Sequence, residues 1–250
     1  MDTNSILTVC FISLVVSTIG VSIGGTSLIT VPALIWLGMA PKNAIATNMF
    51  ALIFMSISGA IGFRREMKGA HCGMIAFFSA LTICGSFIGA NLVLAVDEDI
   101  LKRVIAVIMC IISGSFFFKR DLGIKENKVQ ISKGKLFTSL LLVLILGIYG
   151  GFFSGGYVTL LNYVLILSLG LNFLQAAFIT KILNIFSSLV AFVFFHYHGL
   201  IDFSVGVPLA VSMFSGGFLG AKLAIIKGNR WVRNVFVTVV IALAIKLLAF

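Results

Sequence analysis

The sequence predicts an all-α, polytopic integral membrane protein built from two inverted five-segment repeats with Gly-Gly-broken helices. Three observations predict it. Of the 250 residues, 60% are hydrophobic and only 10% charged, whereas about a quarter are charged in soluble domains. The stretch GVSIGGTS, Gly20 to Ser27, has a partner in GFFSGGYV, Gly151 to Val158, 131 positions further on. Each copy lies inside an uncharged run too long for a single membrane-spanning helix.

The runs are 6–39 and 136–170. As straight helices they would extend ~50 Å at 1.5 Å per residue, against a hydrocarbon core of ~30 Å. Glycine is the residue at which a helix breaks most cheaply. Gly24-Gly25 and Gly155-Gly156 are therefore expected to split each run in two. Counting pieces gives 6–23, 26–39, 44–63, 70–95 and 100–118, then 136–153, 157–170, 175–195, 203–226 and 231–249.

Further blocks return in the same order. GSFIGANL (Gly85 to Leu92) matches GGFLGAKL (Gly216 to Leu223) at the same offset, and AIATN (Ala44 to Asn48) resembles AFITK (Ala177 to Lys181) at an offset of 133. The chain reads as a duplication: a first transmembrane repeat over 1–118, a basic cytoplasmic connector over 119–135, and a second repeat over 136–250.

Five pieces per half is an odd number, so the second half is inverted relative to the first. With the N-terminus outside, Arg64, Arg65, Lys68, the six basic residues of the connector, Lys227, Arg230 and Arg233 all face the cytoplasm. Three basic residues (Lys42, Lys102, Arg103) then lie outside. This asymmetry is what the positive-inside rule favours, and it accounts for the +10 net charge without nucleic acid. The expected location is the plasma membrane, with the lipid bilayer as partner. A homo-oligomer is compatible with the sequence.

Inverted repeats with broken helices are a transporter signature. A helix that starts inside the membrane directs free N–H groups and a positive dipole end at its surroundings. Two such ends brought together make an anion site. Thr26 and Ser27 add hydroxyls after the first break, and Ser154 precedes the second. G-x-x-x-G also lets helices pack closely, which is the plainer reading of the glycines.

All eight acidic residues lie at termini, in loops or at span ends, whereas Lys181, Lys222 and Lys246 fall within spans. Intramembrane charge is by default a functional-site candidate. Lys181 follows Thr180 at the position equivalent to Thr47-Asn48, and Asn184 lies one turn further on the same face. The alternative for Lys181, and the favoured reading of Lys222, is snorkelling to the cytoplasmic surface. A cavity edged by lysine, amides, hydroxyls and helix N-termini suits a small anion. No enzymatic motif, metal-ligand spacing or cofactor fingerprint is present, so the expectation is a non-enzyme without metal or cofactor. The four cysteines read as packing residues.

The G-x-x-x-G-G openings, PALIWLG (Pro32 to Gly38), ATN and ITKILN in the two halves, and G-x-F-x-G-A-x-L closing each half resemble the TauE/SafE family of sulfite exporters. The resemblance covers nearly the whole chain. It implies a permease for sulfite, sulfoacetate or related organosulfonates. Carried over by position, the family motif residues are Gly24, Gly25, Thr47 and Asn48, then Gly155, Gly156, Thr180, Lys181 and Asn184. Tyr163 stands where the first half has Pro32, so the halves differ near the substrate. The expected activity is export of a small anion driven by membrane potential. The alternatives are an uptake or cation-coupled carrier and a membrane assembly protein that transports nothing.

Overall fold

Uncharged segments at membrane depth must satisfy their backbone internally, and this chain does so with helices. The computed structural model describes residues 3–67, 72–101, 103–105, 107 and 133–248. Most of the connector, 119–132, and the end of the first repeat, 108–118, lie outside the described residues. The helices are α1 (Thr3–Ile23), α2 (Ser27–Trp36), α3 (Pro41–Phe63), α4 (Cys72–Ala95), α5 (Lys133–Phe152), α6 (Tyr157–Leu169), α7 (Phe173–Tyr197) and α8 (Phe203–Leu248). A 3-10 turn, Arg64–Met67, follows α3, and the described residues from 98 to 107 are helical.

Among the described residues, five helical stretches are long and apolar enough to cross a membrane: Thr3–Ile23, Pro41–Glu66, Gly73–Ala95, Phe173–Tyr197 and Phe203–Gly228. The protein is a multi-pass membrane protein. Ser27–Trp36, Leu136–Phe152 and Tyr157–Leu169 are apolar but shorter. Helix α8 changes direction at Gly228, where φ is 78° and ψ is 175°. The two pieces expected over 203–226 and 231–249 are its two parts.

Helix ends are set by local chemistry. Pro41 sits in the first turn of α3, where a missing N–H costs nothing. The Asn172 side chain accepts from Gln175 N while Gln175 Oε1 accepts from Asn172 N, a capping box opening α7. Asp202 Oδ1 accepts from Ser204 N at 2.9 Å and Ser204 Oγ at 2.6 Å before α8. Those bonds hold its carboxyl below the usual carboxylate range. Lys42 Nζ, on the first turn of α3, donates to Leu94 O at the end of α4 at 3.0 Å, the end of a helix that favours a cation.

Long-range packing follows a simple order. Helix α1 lies along α8, α8 along α3, α3 along α7, α7 along α4, and α4 along α5. Numbered by place within each half, that order reads the same from both ends. Glycines make the outer contacts close. A Cβ on Gly85 would stand 2.7 Å from Leu144 O, and one on Gly89 would overlap Ile148 O. On the other side, Cβ atoms on Gly216 and Gly220 would overlap Leu14 O and Thr18 O. Helix α4 thus lies against α5 and α8 against α1, backbone to backbone, in the manner of small-xxx-small stripes.

Two apolar grooves flank the centre. One, of about 250 Å³, lies between α3 and α8 and is lined by Phe50, Phe54, Val207, Ala210, Val211 and Phe214. The other, of about 490 Å³, lies between α4 and α7 around Ala76, Ser79, Ala80, Ile83, Ile182 and Phe186. They occupy matching places in the two halves.

Candidate functional site

The site is built where the two broken segments meet. Helix α1 stops at Ile23 and α2 starts at Ser27. Gly24 and Gly25 between them take φ of +94° and +82°, a region that side chains other than glycine rarely enter. The second interruption differs in detail. There Ser154 and Gly156 take positive φ, 62° and 81°, and Gly155 does not. Gly155 is needed for space: a Cβ there would overlap the Phe153 ring and come within 2.9 Å of Leu28 Cδ2.

The two interruptions touch each other reciprocally. A Cβ on Gly24 would lie 2.6 Å from Thr159 Oγ1 and 2.7 Å from Thr159 N, while Gly155 meets Leu28. Gly24 and Gly155 stand 131 positions apart in the sequence, and so do Leu28 and Thr159. The first turn of each short helix therefore packs against the other half's glycine. Thr159 Oγ1 donates to Ile23 O at 2.9 Å, and Asn162 Nδ2 to Ser22 O at 3.4 Å. These bonds cover carbonyls left open at the end of α1. Tyr149 Oη donates to Gly155 O in the same way.

The short helices are also pinned to the long ones. Asn48 Nδ2 donates to Ser27 Oγ at 2.9 Å, and Thr30 Oγ1 donates to Asn48 Oδ1 at 2.7 Å. In the second half, Thr180 Oγ1 lies 3.1 Å from Asn162 Oδ1 and 3.0 Å from Ala177 O, sharing its proton between them. Thr47 turns elsewhere, accepting from Asp202 N at 3.1 Å and anchoring the α7–α8 connection. Thr26 is buried, and its Oγ1 has no hydrogen-bond partner.

Lys181 carries the charge. It is 0% exposed. In this conformation its ammonium does not reach the surface, and it has no hydrogen-bond partner among the described residues. Its methylenes lie against Gly59 of α3, where a Cβ would stand 3.1 Å from Lys181 Cδ and 2.8 Å from Val21 Cγ2. One turn along α7, Asn184 Nδ2 donates to Ser56 Oγ at 2.7 Å, while Asn184 Oδ1 is buried and unpartnered. Lys222, by contrast, is exposed and lies over the Phe218 ring at 4.4 Å. Neither apolar groove includes Lys181.

The structure thus joins Gly24, Gly155, Ser27 and Asn48 at the crossing, Lys181 and Asn184 along the α3–α7 seam, and Thr180 to Asn162 of α6. Sequence reasoning missed Gly59, Ser56, Thr30, Thr159 and Asn162. Asn162 was findable as the amide within an otherwise apolar run. Gly59 was not, since nothing local marks one glycine of a span as facing a lysine.

The sequence profile of the sulfite exporter TauE/SafE family matches residues 9–247. The chain belongs to the TauE/SafE family. It is 31% identical over 226 residues to a "Probable membrane transporter protein" of Haemophilus influenzae, covering 90% of this chain and 88% of that one. It is 30% identical over 238 residues to the "Probable membrane transporter protein YfcA" of Escherichia coli K12, covering 95% and 87%. A "Probable membrane transporter protein ORF9" of a Sinorhizobium species is 30% identical over 231 residues. No solved structure matches the chain. As a TauE/SafE protein, this is a membrane transporter.

Proposed function

We propose that this TauE/SafE protein is a plasma-membrane permease for a small sulfur-containing anion such as sulfite, sulfoacetate or a related organosulfonate. One observation carries the reading. The Lys181 amine is wholly buried and has no hydrogen-bond partner among the described residues, and an amine so placed keeps its charge only when it is paired. Among the described acids, Asp97, Glu98 and Asp99 are exposed at the end of α4, Asp202 lies between α7 and α8, and Glu66 lies in the turn after α3; none of them pairs with Lys181. A substrate anion would supply the counter-charge.

The reciprocal contacts of Gly24 with Thr159 and Gly155 with Leu28 support two repeats related by a pseudo-twofold. The odd number of segments and the placement of basic residues support inversion, with the N-terminus outside. Inside-negative potential is worth ~2.3 kcal/mol per charge per 100 mV, so a divalent oxyanion gains about 4.6 kcal/mol on leaving. That supports export over concentrative uptake.

The test is flux in liposomes containing the purified protein. Labelled sulfite should move faster than through protein-free vesicles, competed by organosulfonates and not by chloride. Lys181→Ala should abolish the saturable component. Equal competition by chloride, or flux indifferent to Lys181, would overturn the reading and favour a non-transporting membrane assembly protein.

A further inference from the structure

The conformation seen here is closed around Lys181. Its methylenes lie against Gly59 of α3, and none of the side chain is exposed. A carrier that serves the two sides of a membrane in turn passes through a closed state on each half of its cycle. In that state a lysine with no counter-charge must either bury an unpaired ammonium or give up its proton, and both are penalised relative to pairing with an anion. Among the described residues, no charged group replaces the anion: Asn184 Oδ1 is a neutral acceptor, and Ser56 Oγ is engaged by Asn184 Nδ2.

We propose that the protein is an anion exchanger, in which the buried Lys181 ammonium lets the closed state form readily only with an anion aboard. The inference rests on the anion-permease reading and adds a stoichiometry to it. An anion leaving is replaced by an anion entering, and net flux without a counter-anion is slow. Export of a divalent anion against a monovalent one still moves negative charge outward, so the membrane potential retains its direction of action.

The experiment uses the full chain in liposomes, with potential clamped at zero by potassium and valinomycin. Uptake of labelled sulfite is compared between vesicles loaded with unlabelled sulfite and vesicles loaded with gluconate. Sulfite-loaded vesicles should take up label at least about tenfold faster, the factor that ~1.4 kcal/mol would give. Lys181→Gln should bring that ratio to about one on whatever flux remains. A separate binding measurement, the sulfite-dependent rise in melting temperature, separates the failures. If sulfite stabilises the protein and enters both kinds of vesicle equally fast, exchange is wrong and the permease stands. If neither sulfite nor sulfoacetate binds or moves, the permease reading falls and exchange falls with it. A tenfold ratio that survives in Lys181→Gln removes Lys181 as its cause.

Discussion

The Lys181 side chain lies across Gly59, whose absent Cβ would stand 3.1 Å from Lys181 Cδ. The ammonium stays inside the protein because the facing helix has a gap of one methyl group at that height. At the sequence offset of 133, Phe192 corresponds to Gly59 and Lys181 to Asn48.

Enlarging residue 59 should expel the lysine. Gly59→Val is expected to cost about 1–3 kcal/mol through overpacking and to abolish saturable flux, with Gly59→Ala intermediate. Accessibility of Lys181 to an amine-reactive reagent checks the cause: it should rise in the valine variant. An unreactive Lys181 with normal flux would refute the packing argument.

The two outer helix contacts should be equally intolerant. Leucine at Gly89 meets Ile148 O, and leucine at Gly220 meets Thr18 O, each a backbone atom that has no room to yield. Both variants are expected to lose most folded, detergent-soluble protein in fluorescence-detected gel filtration. Leucine at Gly73, where a Cβ would meet nothing within 4 Å, should be harmless.

Thr159→Val removes the donor to Ile23 O while keeping the shape of the side chain. The expected loss is about 0.6–1.5 kcal/mol, read from the unfolding midpoint in a denaturing detergent. Because that bond joins the two halves, a larger effect on flux than on stability would show that the crossing moves during transport.

Asp202 supplies an acid-sensitive contribution. Its carboxyl is held below its unfolded value, about 3.9, by the Ser204 hydroxyl and amide and the Val205 amide. The stabilisation is therefore complete above that unfolded value and is lost as pH falls through the lower folded one. Solvent screening keeps it small. Asp202→Ala should cost about 0.5–2 kcal/mol at neutral pH as a lost helix cap. Asp202→Asn should keep the cap and flatten the acid limb of a melting-temperature profile.

What the sequence made legible follows from range. Composition, run length and glycine identity are local properties, so the membrane class, the helices and the interruptions near residues 24 and 155 could be read directly. Lys181 stood out because charge is rare at that depth. The partners of these residues were not legible. Whether Lys181 would snorkel or stay buried depended on Gly59, 122 positions earlier in the chain. The second glycine pair looked identical to the first, yet Ser154 and Gly156 carry the turn, and Gly155 is small because Leu28 and Phe153 crowd it. Thr47 and Asn48 are adjacent in sequence but point to different elements, since neighbours on a helix diverge by about 100°.

The packing of α1 against α8 has a consequence for synthesis. Helix α1 leaves the ribosome well before α8, and the surface that receives it, on α8, is made only after residue 203. During that interval the glycine-matched face of α1 has lipid or the insertion machinery for a neighbour. Severing the gene within the connector should therefore yield two fragments that are unstable when expressed singly and rescue one another when co-expressed.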